Sequence, residues 1–268
     1  MASVVLPELD EPFRKMTFPV PMPRMVSGSR VNDNSSMDSP TESPPPDLQE
    51  AIDRLLPIRN GLSVLAEPIS DRLSELHADE AGEVDQAIDR RRQEFATGRV
   101  LARQAMQALG IEAGPILRGD RRQPIWPAGA VGSITHAGQL AVAAIGRAER
   151  LRAVGLDLEL TQRVDAKLHG KLFTAAEQAL IAGADPRMAG LMFSAKEAGY
   201  KATYPLAGRF IGFKEAEVDV DWPERRFRFR YIGDHEPNRI MEQGEGYFLF
   251  CERYVLSLVI IPERNEAG

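Results

Sequence analysis

The stretch Val154-Gly155-Leu156-Asp157-Leu158-Glu159 alternates apolar and acidic residues and predicts a strand over 153–160. Alternate side chains of a strand share a face. Asp157 and Glu159 therefore project together, while Val154, Leu156 and Leu158 face the other way. Two carboxylates that close repel unless a cation sits between them. A hard cation such as Mg²⁺ is the natural partner, because it takes oxygen ligands and keeps positions for phosphate and water. The plainer reading is an edge strand with two acids turned to solvent.

Outward from this strand the chain reads as two similar runs. Upstream, a short helix is predicted over 47–55 and a strand over 62–67. A helical apolar pattern follows over 83–109, with Val84, Ile88, Phe95, Val100, Ala102, Met106 and Leu109, ended by Gly110. Apolar segments follow at 132–135 and 140–145. Downstream come helical regions over 174–181 and 188–203, then β-like segments over 216–221, 225–232, 246–251 and 254–261. The order strand, helix, strands occurs twice. It predicts an α+β fold of two similar halves in one chain, meeting near residue 150. RRRQEFATGRVLA (90–102) and LMFSAKEAGYKAT (191–203) occupy comparable places in the two halves.

Composition bounds the rest. The chain has 268 residues, 43% hydrophobic and 27% charged, with formal net charge −6. That is a globular balance, and it argues against a nucleic-acid or membrane-surface binder. One cysteine, Cys251, excludes an intrachain disulfide and a cysteine-based zinc cage. Pro7, Asp10, Glu11 and Pro12 interrupt the N-terminus, so no secretory signal is expected. The longest apolar stretch, 254–261, is too short to span a bilayer. Nine of the 19 prolines fall in the first 46 residues. The predicted organisation is a disordered Pro/Ser-rich arm (1–46), an N-terminal half (47–150), a C-terminal half (151–262) and a tail (263–268).

Three further segments bear on chemistry. In Phe193-Ser194-Ala195-Lys196-Glu197-Ala198-Gly199-Tyr200-Lys201-Ala202, Glu197 and Lys201 are four apart and share a helix face. The plain reading is a surface pair. Against it, two of only six lysines lie here and the flanking residues are apolar. A third carboxylate facing Asp157 and Glu159 completes a metal site, and a lysine beside it balances phosphate charge. His136, after Gly132-Ser133-Ile134-Thr135, sits beside two hydroxyls that suit phosphate contacts; a lone histidine is otherwise commonly structural. Residues 90–122 hold eight arginines (90, 91, 92, 99, 103, 118, 121 and 122) against Glu94, Glu112 and Asp120, a local net of +5. Arginine forks bind phosphate bidentately, and about half of these are expected to be ordinary solvated helix charges. The inventory is equipment for a polyphosphate substrate and phosphoryl-type transfer.

GDRRQPIWPAGAVGSITH, VGLDLE and FSAKEAGYKA, in that order, resemble the 4′-phosphopantetheinyl transferases, most closely the larger pseudo-dimeric type serving peptide, siderophore and polyketide synthases. The likeness covers about residues 60–262, including RRRQEFATGR and GRFIGF. It implies Asp157, Glu159 and Glu197 as Mg²⁺ ligands, with Mn²⁺ as a substitute. It implies Lys201 as a contact to the coenzyme A phosphates, and Thr135 and His136 as contacts to the 3′-phosphate side. Arg91, Arg99 and the loop Arg118-Gly119-Asp120-Arg121 match nucleotide-holding positions. Phe210 matches a position near the pantetheine channel. Arginine at 118 departs from the more common lysine and keeps the charge. The resemblance implies an active site at the interface of the halves. The serine hydroxyl of an apo acyl or peptidyl carrier protein attacks the β-phosphorus of coenzyme A, and 3′,5′-ADP leaves. Glu197 or Glu159 removes the proton through a water on the metal, with Lys201 beside the leaving group. A cytoplasmic monomer without nucleic-acid or membrane partners is expected. Asp157→Ala is expected to abolish transfer with little loss of fold.

Two other readings compete. A carboxylate pair on a strand followed by a Glu-and-Lys helix also resembles metal-dependent nucleases or phosphodiesterases, against which the net charge argues. A non-catalytic carrier-protein or nucleotide-binding module keeps the arginines but has no need of three acids.

Overall fold

Two helices of twenty residues organise the chain. The computed structural model describes residues 48–56, 61–119 and 122–263. The arm 1–46, Asp120 and Arg121 lie outside the described residues. In chain order the elements are α1 (Leu48–Leu55), β1 (Leu62–Pro68), the short α2 (Ala78–Gly82), the long α3 (Asp89–Ala108), β2 (Ala130–Ala137) and β3 (Leu140–Arg147). There follow β4 (Leu151–Leu160), α4 (His169–Leu172), α5 (Ala175–Ala182), the long α6 (Met188–Ala207), β5 (Ala216–Asp221), β6 (Arg226–Tyr231), β7 (Glu245–Cys251) and β8 (Tyr254–Pro262). Single 3₁₀ segments lie at Leu73–Glu75, Ala166–Leu168 and Glu236–Gln243.

The strands form a three-stranded sheet in the order β1-β3-β2 and a five-stranded sheet in the order β4-β8-β7-β6-β5. Among the described residues every pairing is antiparallel. The two halves repeat one plan. A strand is followed by a long helix, then by a hairpin whose last strand pairs with the first. This gives β1-β3-β2 in one half and β4-β8-β7 in the other. Even the hairpin turns correspond: Gly138 (φ 57°) opens the β2–β3 turn and Glu252 (φ 48°) the β7–β8 turn. The hairpin β5–β6 extends the second sheet. Its Arg226-Phe227-Arg228-Phe229-Arg230-Tyr231 run alternates exposed arginines with buried aromatics.

The helical pattern over 83–109 resolves into two pieces. Helix α3 begins at Asp89, α2 ends at Gly82, and 83–88 is a turn-rich link. Val84 is buried in the link, whereas Ile88 is 75% exposed just before α3. Their spacing imitates helical periodicity, but one is a plug and the other a surface residue. Helix α3 ends where Gly110 takes φ 67°. Helix α5 starts at Thr174, whose side chain accepts from the Glu177 N–H while the Glu177 carboxylate returns the bond.

Both faces of β4 are buried, so the solvent-facing edge strand is excluded. Leu156 and Leu158 join Leu62, Val64, Val142 and Leu256 in a core that crosses both sheets. The opposite face of β4 packs on α6. A Cβ at Gly155 would stand 1.9 Å from the Ala198 carbonyl oxygen and 2.6 Å from the Ala202 nitrogen. Only glycine allows helix and strand to approach this closely.

Candidate functional site

That close approach brings the acids together. Asp157 and Glu159 lie on the α6 side of β4 and are each 2% exposed. Across from them α6 presents Glu197 and, one turn later, Lys201. The Lys201 Nζ donates to Asp157 Oδ1 at 2.8 Å and to the Leu156 carbonyl at 3.0 Å. Glu159 Oε1 accepts from Arg163 Nη1 at 3.1 Å and from the Leu160 N–H at 2.8 Å. Asp157 Oδ2 is buried with no hydrogen-bond partner, and so is the hydroxyl of Ser257, its cross-strand neighbour on β8.

Two cations face three carboxylates here, and burial raises all three carboxyls. Burial raises the Asp157 carboxyl, with Lys201 opposing it. Burial raises Glu159 as well, opposed by Arg163 and reinforced by Asp157. Glu197 is pushed up to about 8, by burial first and by the Asp157 charge next.

A basic cluster lies on the other half. His136, 7% exposed at the end of β2, has Nε2 2.9 Å from Arg91 Nη1. Glu94 lies behind this pair: it accepts from Arg90 at 3.1 Å and from Arg91 at 3.4 Å, and stands 3.6 Å from His136 Nε2. Burial, then the Arg91 charge, depress the His136 imidazole to about 3, and Lys201 contributes to the depression. His136 is therefore neutral near pH 7 and accepts from Arg91. The acidic and basic clusters are also joined through the backbone: Thr135, next to His136, accepts from the N–H of Leu158, which lies between Asp157 and Glu159.

Arg99 and Arg118 sit over the Phe95 ring, at 4.4 and 4.7 Å from its centroid. Arg99 Nε donates to the Ile116 carbonyl at 2.8 Å, and burial lowers its guanidinium to about 10. The Arg118 N–H donates to Glu83 Oε1 at 2.7 Å. Gly119 belongs to a tight turn: its N–H donates to the Gln123 carbonyl at 2.8 Å, and a Cβ there would meet the Gln123 side chain at 2.3 Å. Asp120 and Arg121, expected in the same loop, lie outside the described residues. Other arginines of the basic run serve the fold. Arg103 pairs with buried Glu80 at 2.6 Å, and Arg92 with Asp89 at 3.7 Å.

Thr135 is turned inward: its hydroxyl accepts from the Leu158 N–H at 3.1 Å. Phe210 packs edge-on against Tyr200, with centroids 4.9 Å apart. Both line a pocket with Glu197, Ile211 and Met241. The two lysines of the 193–202 segment part company. Lys201 joins the carboxylates. Lys196 is buried against Glu177 at 2.7 Å and donates to the Leu172 and Phe213 carbonyls. The sequence did not show that Glu80, Glu83, Glu94 and Phe95 hold the arginines in place. Glu94 was legible only as an acid among the arginines, which also fits a solvated helix, and Glu80 and Glu83 lie upstream of the run.

The donor chemistry fits a hard divalent cation: three carboxylates, an orphaned buried oxygen and a raised acid. As the side chains stand, Asp157 Oδ1 serves Lys201 and Glu159 Oε1 serves Arg163. Among the described residues no three His, Cys, Asp or Glu side chains already converge as a metal cage.

Comparison with known proteins adds an independent line. Residues 79–146 match the family model described as 4′-phosphopantetheinyl transferase N-terminal domain, and residues 153–259 match that of the 4′-phosphopantetheinyl transferase superfamily. The chain is 35% identical over 198 residues to the 4′-phosphopantetheinyl transferase Svp of Streptomyces mobaraensis, covering 71% of this chain and 80% of that protein. It is 34% identical over 157 residues to the 4′-phosphopantetheinyl transferase PptT of Mycobacterium tuberculosis, covering 58% and 69%. To enterobactin synthase component D of Escherichia coli K12 it is 33% identical over 119 residues, covering 42% and 55%. Among solved structures, the holo-[acyl-carrier-protein] synthase of Thermotoga maritima matches with TM-score 0.33 and 20% identity, over 41% of this chain and 63% of that one.

Proposed function

The chain belongs to the 4′-phosphopantetheinyl transferase superfamily, and from that premise we propose a division of labour between its two halves. The N-terminal half binds the nucleotide of coenzyme A, and the C-terminal half carries the chemistry. The observation that carries this reading is the meeting of Asp157, Glu159, Glu197 and Lys201 beside the His136–Arg91 pair.

Arg91, Arg99, Arg118 and the 118–121 loop take the nucleotide phosphates, with His136 as a neutral partner and Thr135 beside it. Phe210 lines the course of the pantetheine arm. Asp157, Glu159 and Glu197 hold Mg²⁺, or Mn²⁺ in its place. Bound there, the ion supplies positive charge to the diphosphate of coenzyme A. Lys201, bonded to Asp157 in this structure, is the cation proposed to offset the phosphate charge of the leaving 3′,5′-ADP.

The carrier serine Oγ forms the new bond to the β-phosphorus as the bond from that phosphorus to 3′,5′-ADP breaks. The serine proton passes to a carboxylate. Glu197 in its ionised form is the first choice for that task, and Glu159 the second. Carriers of siderophore, peptide or polyketide synthesis are the proposed substrates.

Residues 1–46 and the tail 263–268 are outside the proposed catalytic unit, so a chain starting at Asp47 retains transfer. The proposed state is a cytoplasmic monomer; among the described residues no helix is long and apolar enough to cross a membrane. The decisive experiment is mass spectrometry of an apo carrier incubated with the protein, Mg²⁺ and coenzyme A. One added phosphopantetheine on the serine supports the reading. Intact coenzyme A binding with no mass gain across acyl and peptidyl carriers overturns it.

A further inference from the structure

Strand β4 pairs with β8 along one edge, and among the described residues no strand backbone pairs with its other edge. That edge is not bare. The buried N–H groups of Leu156 and Leu158 point across it to strand β2 of the other half. There the Ser133 hydroxyl accepts from Leu156 at 3.0 Å and the Thr135 hydroxyl accepts from Leu158 at 3.1 Å. Residues two apart on one strand meet residues two apart on the other. The result is a two-rung ladder in which side-chain hydroxyls replace backbone carbonyls.

Asp157 stands between the two anchored residues. Ser133 Oγ also lies 3.5 Å from the Leu156 carbonyl oxygen, as donor. That same oxygen receives Lys201 Nζ, whose other bond is to Asp157 Oδ1. A continuous chain thus runs from Ser133 through Leu156 and Lys201 to Asp157. Both hydroxyls are buried, Ser133 at 5% and Thr135 at 3% exposure. The next residue of β2 is His136, which contacts Arg91. Strand β2 therefore belongs to the basic cluster through His136 and to the acidic cluster through Ser133 and Thr135.

We propose that Ser133 and Thr135 are positioning residues for the carboxylate cluster: their hydroxyls fix the free edge of β4, and with it Asp157, Glu159 and Lys201. The inference rests on the cation reading above. Removing an acceptor leaves a buried N–H unsatisfied, and β4 shifts to rehydrate it. Residues behind metal ligands typically change metal affinity or activity 10–100-fold when altered.

The test compares Ser133→Ala with the pair Thr135→Val, which keeps volume but removes the acceptor, and Thr135→Ser, which keeps the acceptor. Mn²⁺ affinity is read from the electron paramagnetic resonance signal of free ion, with no coenzyme A present. Affinity for 3′,5′-ADP is read by calorimetry. Ser133→Ala and Thr135→Val are expected to weaken Mn²⁺ binding about 10–100-fold, with Thr135→Ser restoring it. Ser133→Ala keeps 3′,5′-ADP affinity, because the arginines and His136 are untouched, and lowers kcat more than it raises KM for coenzyme A. Unchanged Mn²⁺ affinity in both acceptor-deleted variants overturns the inference. So does a Ser133→Ala protein that loses Mn²⁺ and 3′,5′-ADP in equal measure. If Ser133→Ala does not fold, the Thr135 pair decides alone. An unsubstituted chain that binds no Mn²⁺ overturns the cation reading itself, and that failure is visible before any variant is made.

Discussion

Glu197 carries a pH signature that separates it from a surface acid. Its carboxyl is raised from the ordinary 4.5 to about 8, chiefly by burial and then by Asp157. Below the lower value the proton is bound in both the folded and unfolded chain. Between the two values the unfolded chain ionises first, so the folded state binds more protons and stability falls as pH rises. Thermal unfolding in EDTA should therefore show a melting temperature that drops from about pH 5 to pH 8. Glu197→Gln should flatten that drop. Mg²⁺ or Mn²⁺ should raise the melting temperature more at about pH 8 than at pH 6, where the ion competes with a proton. A metal-induced gain independent of pH would detach Glu197 from the cation. The structure also revises the consequence of Asp157→Ala. Asp157 is the buried partner of Lys201, so truncation should abolish transfer and also leave a buried ammonium with the Leu156 carbonyl but no carboxylate, at a cost on the order of 3 kcal/mol. Asp157→Asn keeps an oxygen acceptor and should lose transfer with a smaller loss in urea unfolding.

At the scale of elements, the contact between β4 and α6 decides the site. Gly155 has helix backbone where a side chain would be, so Gly155→Ala must push α6 away from the strand. Overpacking against backbone reaches about 3 kcal/mol or more, and here it also separates Glu197 from Asp157. Gly98 provides the control in the other half. A Cβ there meets the Ile134 Cγ2 methyl at 2.7 Å, which must also shift, but it meets no backbone outside its own helix. Gly98→Ala should lie well below Gly155→Ala in denaturant unfolding. Equal losses would mean that the helix–strand approach is not the constraint. The period-two alternation of 154–159 and 226–231 was legible because one face of each strand is apolar. The boundary of α3 was not, because Val84 and Ile88 copy a helical spacing that the link uses otherwise.

At the scale of the molecule the two halves share one interior. The core around Leu62, Val142, Leu156 and Leu256 draws on both sheets, and the hydroxyl ladder ties β2 to β4. Differential scanning calorimetry should therefore give one cooperative transition with matching calorimetric and van't Hoff enthalpies. Fragments covering 61–150 and 151–263 should not fold separately. Two resolved transitions would show that the halves are independent. The formal charge of −6 averages over an acidic cluster on one half and a basic one on the other, so it describes neither.

The sequence by itself determined the repeated strand–helix–strands order and the family likeness. It also showed that Asp157 and Glu159 share a strand face, and that Glu197 and Lys201 share a helix face. These follow from local periodicity, which is a property of neighbouring residues. Only the tertiary structure decided that the two faces meet, since this depends on a glycine at one point of contact 43 residues from Ala198. It separated Lys201 from Lys196, which are five positions apart but bonded to different partners. It sorted the arginines into those around Phe95 and His136 and those that hold helices together. Such choices are made by long-range packing and burial, which set the electrostatic environment of a side chain and which local periodicity does not record.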